Sequence, residues 1–196
     1  MPRPKLRTDA LRASVLDAVL RLLEEEGPAA CTTRRIAKLA GTSPPALYEF
    51  FGDKEGLLRA VFFEGFRRLG QRFAELPRTD DARQDLVTTA HVFRAFGREH
   101  PALSELMFSR PFAAFAPSKE EQMAGTMTRQ FLVGRVRRAI ADGAIAGDPT
   151  DIAHNLLALI IGLTTQERGG WLGSTPESIQ RRWTLGIDAL LNGLAP

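Results

Sequence analysis

Thr32-Thr33-Arg34-Arg35-Ile36-Ala37-Lys38-Leu39-Ala40-Gly41-Thr42-Ser43-Pro44-Pro45-Ala46-Leu47-Tyr48-Glu49-Phe50-Phe51 holds two helix starts separated by one abrupt stop. Thr32 is placed to cap a short helix whose inward face is expected to be Ile36, Leu39 and Ala40. Gly41 ends that helix, since a left-handed residue there turns the chain at little steric cost. Ser43 is a good N-cap for the next helix. Pro44 sits at its first position, where a missing N–H costs nothing. Two helices joined by so short a turn cannot lie antiparallel; they cross steeply, as in a helix-turn-helix.

In the second helix Leu47 and Phe51, four residues apart, point inward and leave Pro44, Pro45, Ala46, Tyr48 and Glu49 outside. That outer face suits a DNA major groove. Its small, donor-poor start favours close contact with base edges, such as Ala46 or a proline ring on a thymine methyl, over bidentate hydrogen bonds. Tyr48 and Lys54 are placed to reach phosphates, as are Thr33, Arg34 and Arg35 at the start of the preceding helix. Arg34 also has the reach for a guanine edge. An ordinary helical hairpin with a solvated basic face would show the same spacing.

Outward from this segment, apolar residues recur at helical spacing almost throughout, with Leu11, Val15, Val19 and Leu22 on one face and Leu58, Phe62, Leu69 and Phe73 on another. Glycine and proline clusters cut the pattern into about nine helices, near 8–26, 33–40, 44–51, 53–76, 80–99, 101–109, 118–142, 149–168 and 175–194. The fold class is therefore all-α. A DNA-binding head is expected over residues 1–52, where Arg3, Lys5, Arg7 and Arg12 oppose a single Asp9 within the first dozen residues and a basic arm precedes the first helix. A long fourth helix then leads into an effector-binding and dimerisation region over 53–196.

The 196 residues suffice to bury a real core, and the single cysteine rules out an intramolecular disulfide framework. No apolar leader follows Met1, and the longest apolar run, Leu156 to Leu163, is far short of the ~20 residues that cross a bilayer. A protein of the reducing cytoplasm, with no membrane partner, is expected. His91, His100 and His154 lack metal-ligand spacing, and no phosphate loop, nucleophile elbow or acid–base pair is present. Neither an enzyme nor a cofactor is expected. Cys31 reads as a small hydrophobe between helices, with a redox switch as the alternative.

Residues 11–61 resemble the DNA-binding head of the TetR family of transcriptional regulators. The resemblance lies in Glu26-Gly27 at the end of the first helix, Thr32-Thr33-x-x-Ile36-Ala37-x-x-Ala40-Gly41, Ser43-x-x-x-Leu47-Tyr48 with a following phenylalanine, and Lys54-Glu55-x-Leu57-Leu58. Carried over by motif position, the family's DNA contacts fall on Thr32, Thr33, Arg34, Ser43, Pro44, Pro45, Ala46, Tyr48 and Lys54. Phe50 stands where the family usually has a histidine, which removes one phosphate donor. The resemblance implies a C-terminal domain that binds a small molecule and dimerises through its last two helices. The run His100-Pro101-Ala102-Leu103-Ser104-Glu105-Leu106-Met107-Phe108 is similar to one subgroup of the family. That subgroup tends to carry a His-Gly pair where this chain has Ile161-Gly162.

Six of the twelve phenylalanines lie between Phe93 and Phe131, together with Met107, Met123 and Met127. Phe93, Phe96, Met107, Phe108, Phe112, Met123, Met127 and Phe131, with Gln166 as a polar group, are the candidates to surround a small, largely apolar effector. A filled core would use the same residues. At the end of the chain Ile179, Trp183, Ile187 and Leu190 form an apolar stripe expected at the interface of a homodimer. The resulting expectation is a repressor that leaves a near-palindromic operator when an effector binds. The alternative is a constitutive dimeric DNA-binding protein with no effector.

Overall fold

The computed structural model describes the backbone of residues 5–108 and 119–196 and the side chains of residues 9–108 and 126–196. Among the described residues there are nine α-helices and no strand. They are α1 (Lys5–Glu26), α2 (Thr33–Leu39), α3 (Pro44–Phe51), α4 (Lys54–Ala74), α5 (Ala82–Glu99), α6 (Pro101–Phe108), α7 (Lys119–Ala141), α8 (Pro149–Arg168) and α9 (Pro176–Asn192), with one 3-10 turn at Pro28–Ala30. The boundaries lie within three residues of those expected from turn chemistry. Local capping explains the agreement. The Asp148 carboxylate accepts the N–H groups of Thr150 and Asp151 ahead of α8, and Thr175 and Ser178 form a reciprocal capping box at α9. Pro149 and Pro176 occupy first positions, where no amide donor is needed.

The chain gathers into two compact units. The first contains α1–α3, α4 as far as Phe66, and α6. Its buried side chains include Val15, Val19, Leu22, Ile36, Leu47, Val61 and Leu103. In this unit α6 is held at its N-terminus by a side chain from α1: the Glu24 carboxylate accepts the N–H groups of Ala102 (3.3 Å) and Leu103 (3.1 Å). Along its length α6 approaches α4 where Gly65 has no side chain; a Cβ there would come within 2.5 Å of the Met107 sulfur. Phe66 and Phe108 meet edge to face nearby.

The second unit contains α4 from Arg67, then α5 and α7–α9. Leu69, Phe73, Leu86, Phe93, Phe96, Val136, Leu156, Ile160, Trp183 and Ile187 are buried in it. Two carboxylates, the buried Asp85 and the half-buried Glu167, join its helices. Asp85 on α5 accepts from Arg135 (2.8 Å) and Arg138 (3.0 Å) on α7 and from the backbone and side chain of Thr79 in the preceding loop. Arg135 also donates to the carbonyls of Leu76 and Pro77, so the α4–α5 connection is drawn onto α7. Glu167 on α8 is gripped by two nitrogens of Arg94 on α5 (2.7 and 2.9 Å) and by the indole N–H of Trp183 on α9 (2.7 Å). The Arg94 guanidinium also lies over the Trp183 ring and reaches Gln180.

Burial pushes the pKa of Asp85 up, but the Thr79 hydrogen bonds and the two arginines outweigh it and hold the carboxyl below its ordinary range. Glu167 is likewise depressed, burial being outweighed by Arg94, Trp183 and Arg98. A group whose folded pKa is depressed stabilises the fold above its unfolded value, and that contribution disappears as pH falls through the folded value. Acid unfolding should therefore set in below about pH 4.5, where free carboxyls begin to protonate. Asp85→Asn would leave Arg135 buried without its counter-charge, a loss of about 3 kcal/mol. Urea titration at neutral pH should show that loss, and the variant's acid transition should be flatter than that of the wild type.

Candidate nucleic-acid interface

The helix-turn-helix is built by local hydrogen bonds before any packing is considered. The Thr32 hydroxyl accepts the Arg35 N–H and the Ser43 hydroxyl accepts the Ala46 N–H, each at 3.4 Å. Between them Gly41 takes the left-handed conformation (φ 64°). The burial pattern differs from the expected one at Leu39, which is 48% exposed; Ala37 is buried beside Ile36 and Ala40 instead. In a helix of seven residues the inward arc is narrow, and the 100° step per residue carries Leu39 out of it. On α3, Leu47 is buried and Phe51 half-buried, while Pro45, Tyr48 and Glu49 are exposed and Pro44 and Ala46 partly so.

The far end of α3 carries a constraint that spacing alone did not disclose. Gly52 turns the chain in the left-handed region (φ 77°), and the Asp53 carboxylate accepts the Gly56 N–H at 2.7 Å, capping α4. Gly56 sits so close to the carbonyl oxygen of Phe51 that a Cβ would overlap it. That glycine is the unassigned position in Lys54-Glu55-x-Leu57-Leu58. Asp53 was assigned no role from the sequence, although an aspartate just before a helix is a signal that could have marked the cap; nothing in the sequence marks the clash at Gly56.

On the outer surface the Thr33 and Tyr48 hydroxyls are hydrogen-bonded at 3.1 Å, which ties α2 to α3 and places both oxygens together. Arg34 and Lys54 are exposed, and no hydrogen bond or ion pair engages either of them among the described residues. Arg35, expected to reach a phosphate, is instead held by Glu26 at the end of α1 through two hydrogen bonds of 2.8 and 2.5 Å. Those bonds lower the Glu26 pKa and raise that of Arg35, so both stay charged. Cys31 is half-buried, its thiol directed at the carbonyl of Val19, and burial raises its pKa, which favours the protonated thiol. Arg3, Lys5 and Arg7 of the basic arm have side chains outside the described residues.

Of the residues expected around an effector, Phe93 and Phe96 are buried in the second unit and Phe131 stacks on Phe73 at 5.0 Å under the Arg135 guanidinium. Met107 and Phe108 belong to the first unit. Met127 is 64% exposed and Gln166 is exposed as well, because Thr128 on α7 and Thr164 on α8 are the positions that turn inward there. Phe112 and the Met123 side chain lie outside the described residues. Two hydroxyls in the second unit, on Thr128 and Thr164, are buried with no hydrogen-bond partner among the described residues.

The residues expected at a dimer interface differ in how far the protomer itself covers them. Trp183 and Ile187 are fully buried within the protomer, Trp183 by its bond to Glu167, while Ile179 and Leu190 are half-buried. The outward side of α9 is instead Leu185, 69% exposed, with Ala189, and on α8 it is Ala158 and Gly162. An amphipathic helix presents its most apolar arc to its own core, and the stripe read from the sequence was that arc.

Replacing Gly56 by alanine should push α4 away from the Phe51 carbonyl at an overpacking cost of about 1–3 kcal/mol. A lowered melting temperature with near-native helical content by circular dichroism would show this; an unchanged melting curve would refute it.

Residues 15–61 match the model for bacterial regulatory proteins of the tetR family, and residues 86–190 match the tetracyclin repressor-like C-terminal domain. The chain is 27% identical over 192 residues to the HTH-type transcriptional regulator BetI of Brucella anthropi, covering 95% of this chain and 88% of that one. A protein of unknown function from Rhodococcus sp. RHA1 superposes with a TM-score of 0.82 at 29% identity, over 95% of this chain and 96% of the other. A TetR from Acinetobacter baumannii AYE has the same fold, with a TM-score of 0.66 at 22% identity over 92% and 94% of the two chains. This chain belongs to the TetR family and is a DNA-binding transcriptional regulator, not an enzyme.

Proposed function

We propose that the protein is a cytoplasmic homodimeric repressor that leaves a near-palindromic operator when a small, largely apolar molecule binds its C-terminal region. The observation that carries the DNA-binding half is the outer face of α2, α3 and the first turn of α4. There the bonded Thr33 and Tyr48 hydroxyls and the unengaged Arg34 and Lys54 are exposed together. Tyr48, Thr33 and Lys54 contact phosphates, and Arg34 reaches a phosphate or a guanine edge. Thr32 and Ser43 set the two helix starts, and Pro44, Pro45 and Ala46 approach base edges. Lys54→Ala should weaken binding to all duplexes alike and flatten the salt dependence by about one unit of slope. Fluorescence anisotropy on a duplex enriched from a random pool, repeated from low to high salt, measures both. Equal binding by wild type and a Tyr48→Ala, Lys54→Ala double variant would sink this interface.

The dimer is supported by the exposed Leu185 and Ala189 on α9, beside Arg181 and Arg182, and by the exposed Ala158 and Gly162 on α8, small or apolar residues that a partner helix could pack on. Two-fold pairing would present the two α3 helices to half-sites about 34–36 Å apart, or a multiple of that. Leu185→Glu should give a folded monomer in sedimentation, whereas Trp183→Glu should unfold the second unit, because Trp183 is internal.

The effector half is supported by the aromatic cluster of Phe73, Phe93, Phe96 and Phe131, by the two unpartnered buried hydroxyls, and by the family. The Acinetobacter baumannii structure is a complex with minocycline. A ligand acts here only through its different affinity for the DNA-competent and DNA-incompetent states. About 5.5 kcal/mol moves a 99:1 population to 1:99. A thermal-shift screen of apolar and amphipathic compounds should find stabilisers that also release the duplex. Stabilisers that never release it would favour the constitutive reading.

A further inference from the structure

Arg34 and Arg35 are adjacent arginines at the start of α2, yet only one is available. Arg35 gives both terminal nitrogens of its guanidinium to Glu26, and the pair lies at the surface, with side chains 47% and 44% exposed. It stands in the first turn of α2 beside Arg34, and Cys31, just ahead of that turn, feels the charges of both Arg35 and Lys54, so the pair lies near the Lys54 end of the outer face. A carboxylate thus stands at the edge of a surface that otherwise offers Arg34 and Lys54 to a polyanion. The pair contributes little to stability, because exposed ion pairs rarely do, so holding the two helices together is a weak reason for it. Its electrostatic consequence is larger. A guanidinium bound to a carboxylate on two nitrogens presents no net charge, releases no counterions from DNA, and would leave Glu26 facing a phosphate if it turned away.

We infer that Glu26 limits sequence-independent DNA affinity by holding Arg35 off the phosphate backbone. Phosphate contacts strengthen binding to every sequence, so withholding one lowers background binding without touching the residues that face base edges. Glu26 thereby sets the overall strength of DNA binding without contacting DNA itself. The inference rests on the DNA interface proposed above.

The test compares wild type, Glu26→Gln, the Glu26→Gln/Arg35→Gln double variant and Lys54→Ala. Each is titrated on an enriched duplex and on a scrambled one of equal length, at 50 and 200 mM salt. Glu26→Gln should bind both duplexes more tightly, with the salt slope steeper by about 0.9. Its advantage over wild type should shrink about 3.5-fold across that fourfold salt range, as one added phosphate contact implies. Its preference for the enriched duplex should stay as in wild type, because a phosphate contact adds equally to both. The double variant should return to wild-type affinity and slope, because Arg35 makes no contact in the wild type. Melting curves check that all variants fold; Glu26→Ala should give the same ordering should the glutamine variant fail to fold. Glu26→Gln binding like wild type while Lys54→Ala binds weakly would overturn the role of Glu26 alone. A double variant weaker than wild type would do the same, since it would place Arg35 on DNA already. No effect of Lys54→Ala on either duplex would remove the interface and this inference with it.

Discussion

The carbonyl oxygen of Phe51 lies against the Cα of Gly56 with no room for a side chain between them. This contact fixes how the chain leaves α3 and enters α4. Gly52 supplies the left-handed turn, Asp53 the cap, and Gly56 the clearance. Because Thr32 and Ser43 fix the starts of α2 and α3 by the same kind of local bond, α3 is held at both ends by backbone geometry. Side chains on its outer face are then free to be chosen for what they touch, and two prolines and an alanine there cost the fold nothing.

The second unit is held differently. Its helices are long enough to be set by apolar burial, but two carboxylates, one buried and one half-buried, decide how they are joined. Asp85 gathers α5, α7 and the loop before α5, and Glu167 gathers α5, α8 and α9. Each is satisfied by several donors at once, as a charge must be when it is removed from water. Trp183 illustrates the consequence. Its size and apolarity suit an interface, but its indole N–H needs an acceptor, and Glu167 supplies one inside the protomer.

Arg34 and Arg35 separate by the same logic on the surface. Adjacent on the chain, they diverge by about 100° around the helix. One points to open solvent and the other meets the end of α1. Charge on a DNA-facing surface is therefore a property of pairs, and a census of basic residues overstates it.

The all-α fold, the helix boundaries and the helix-turn-helix were legible in the sequence because each rests on a local cause: periodicity of apolar residues, a cap, or a glycine or proline whose backbone preference acts within a few residues. The outward placement of Tyr48, Arg34 and Lys54 was legible for the same reason. What tertiary structure alone decided are the contacts between residues distant along the chain. Glu26 takes Arg35, Glu24 caps α6, and Trp183 and Ile187 turn into their own core while Leu185 turns out. Helical periodicity identifies an apolar arc but not which neighbour covers it, and charge type does not disclose which partner lies within reach until the helices have packed.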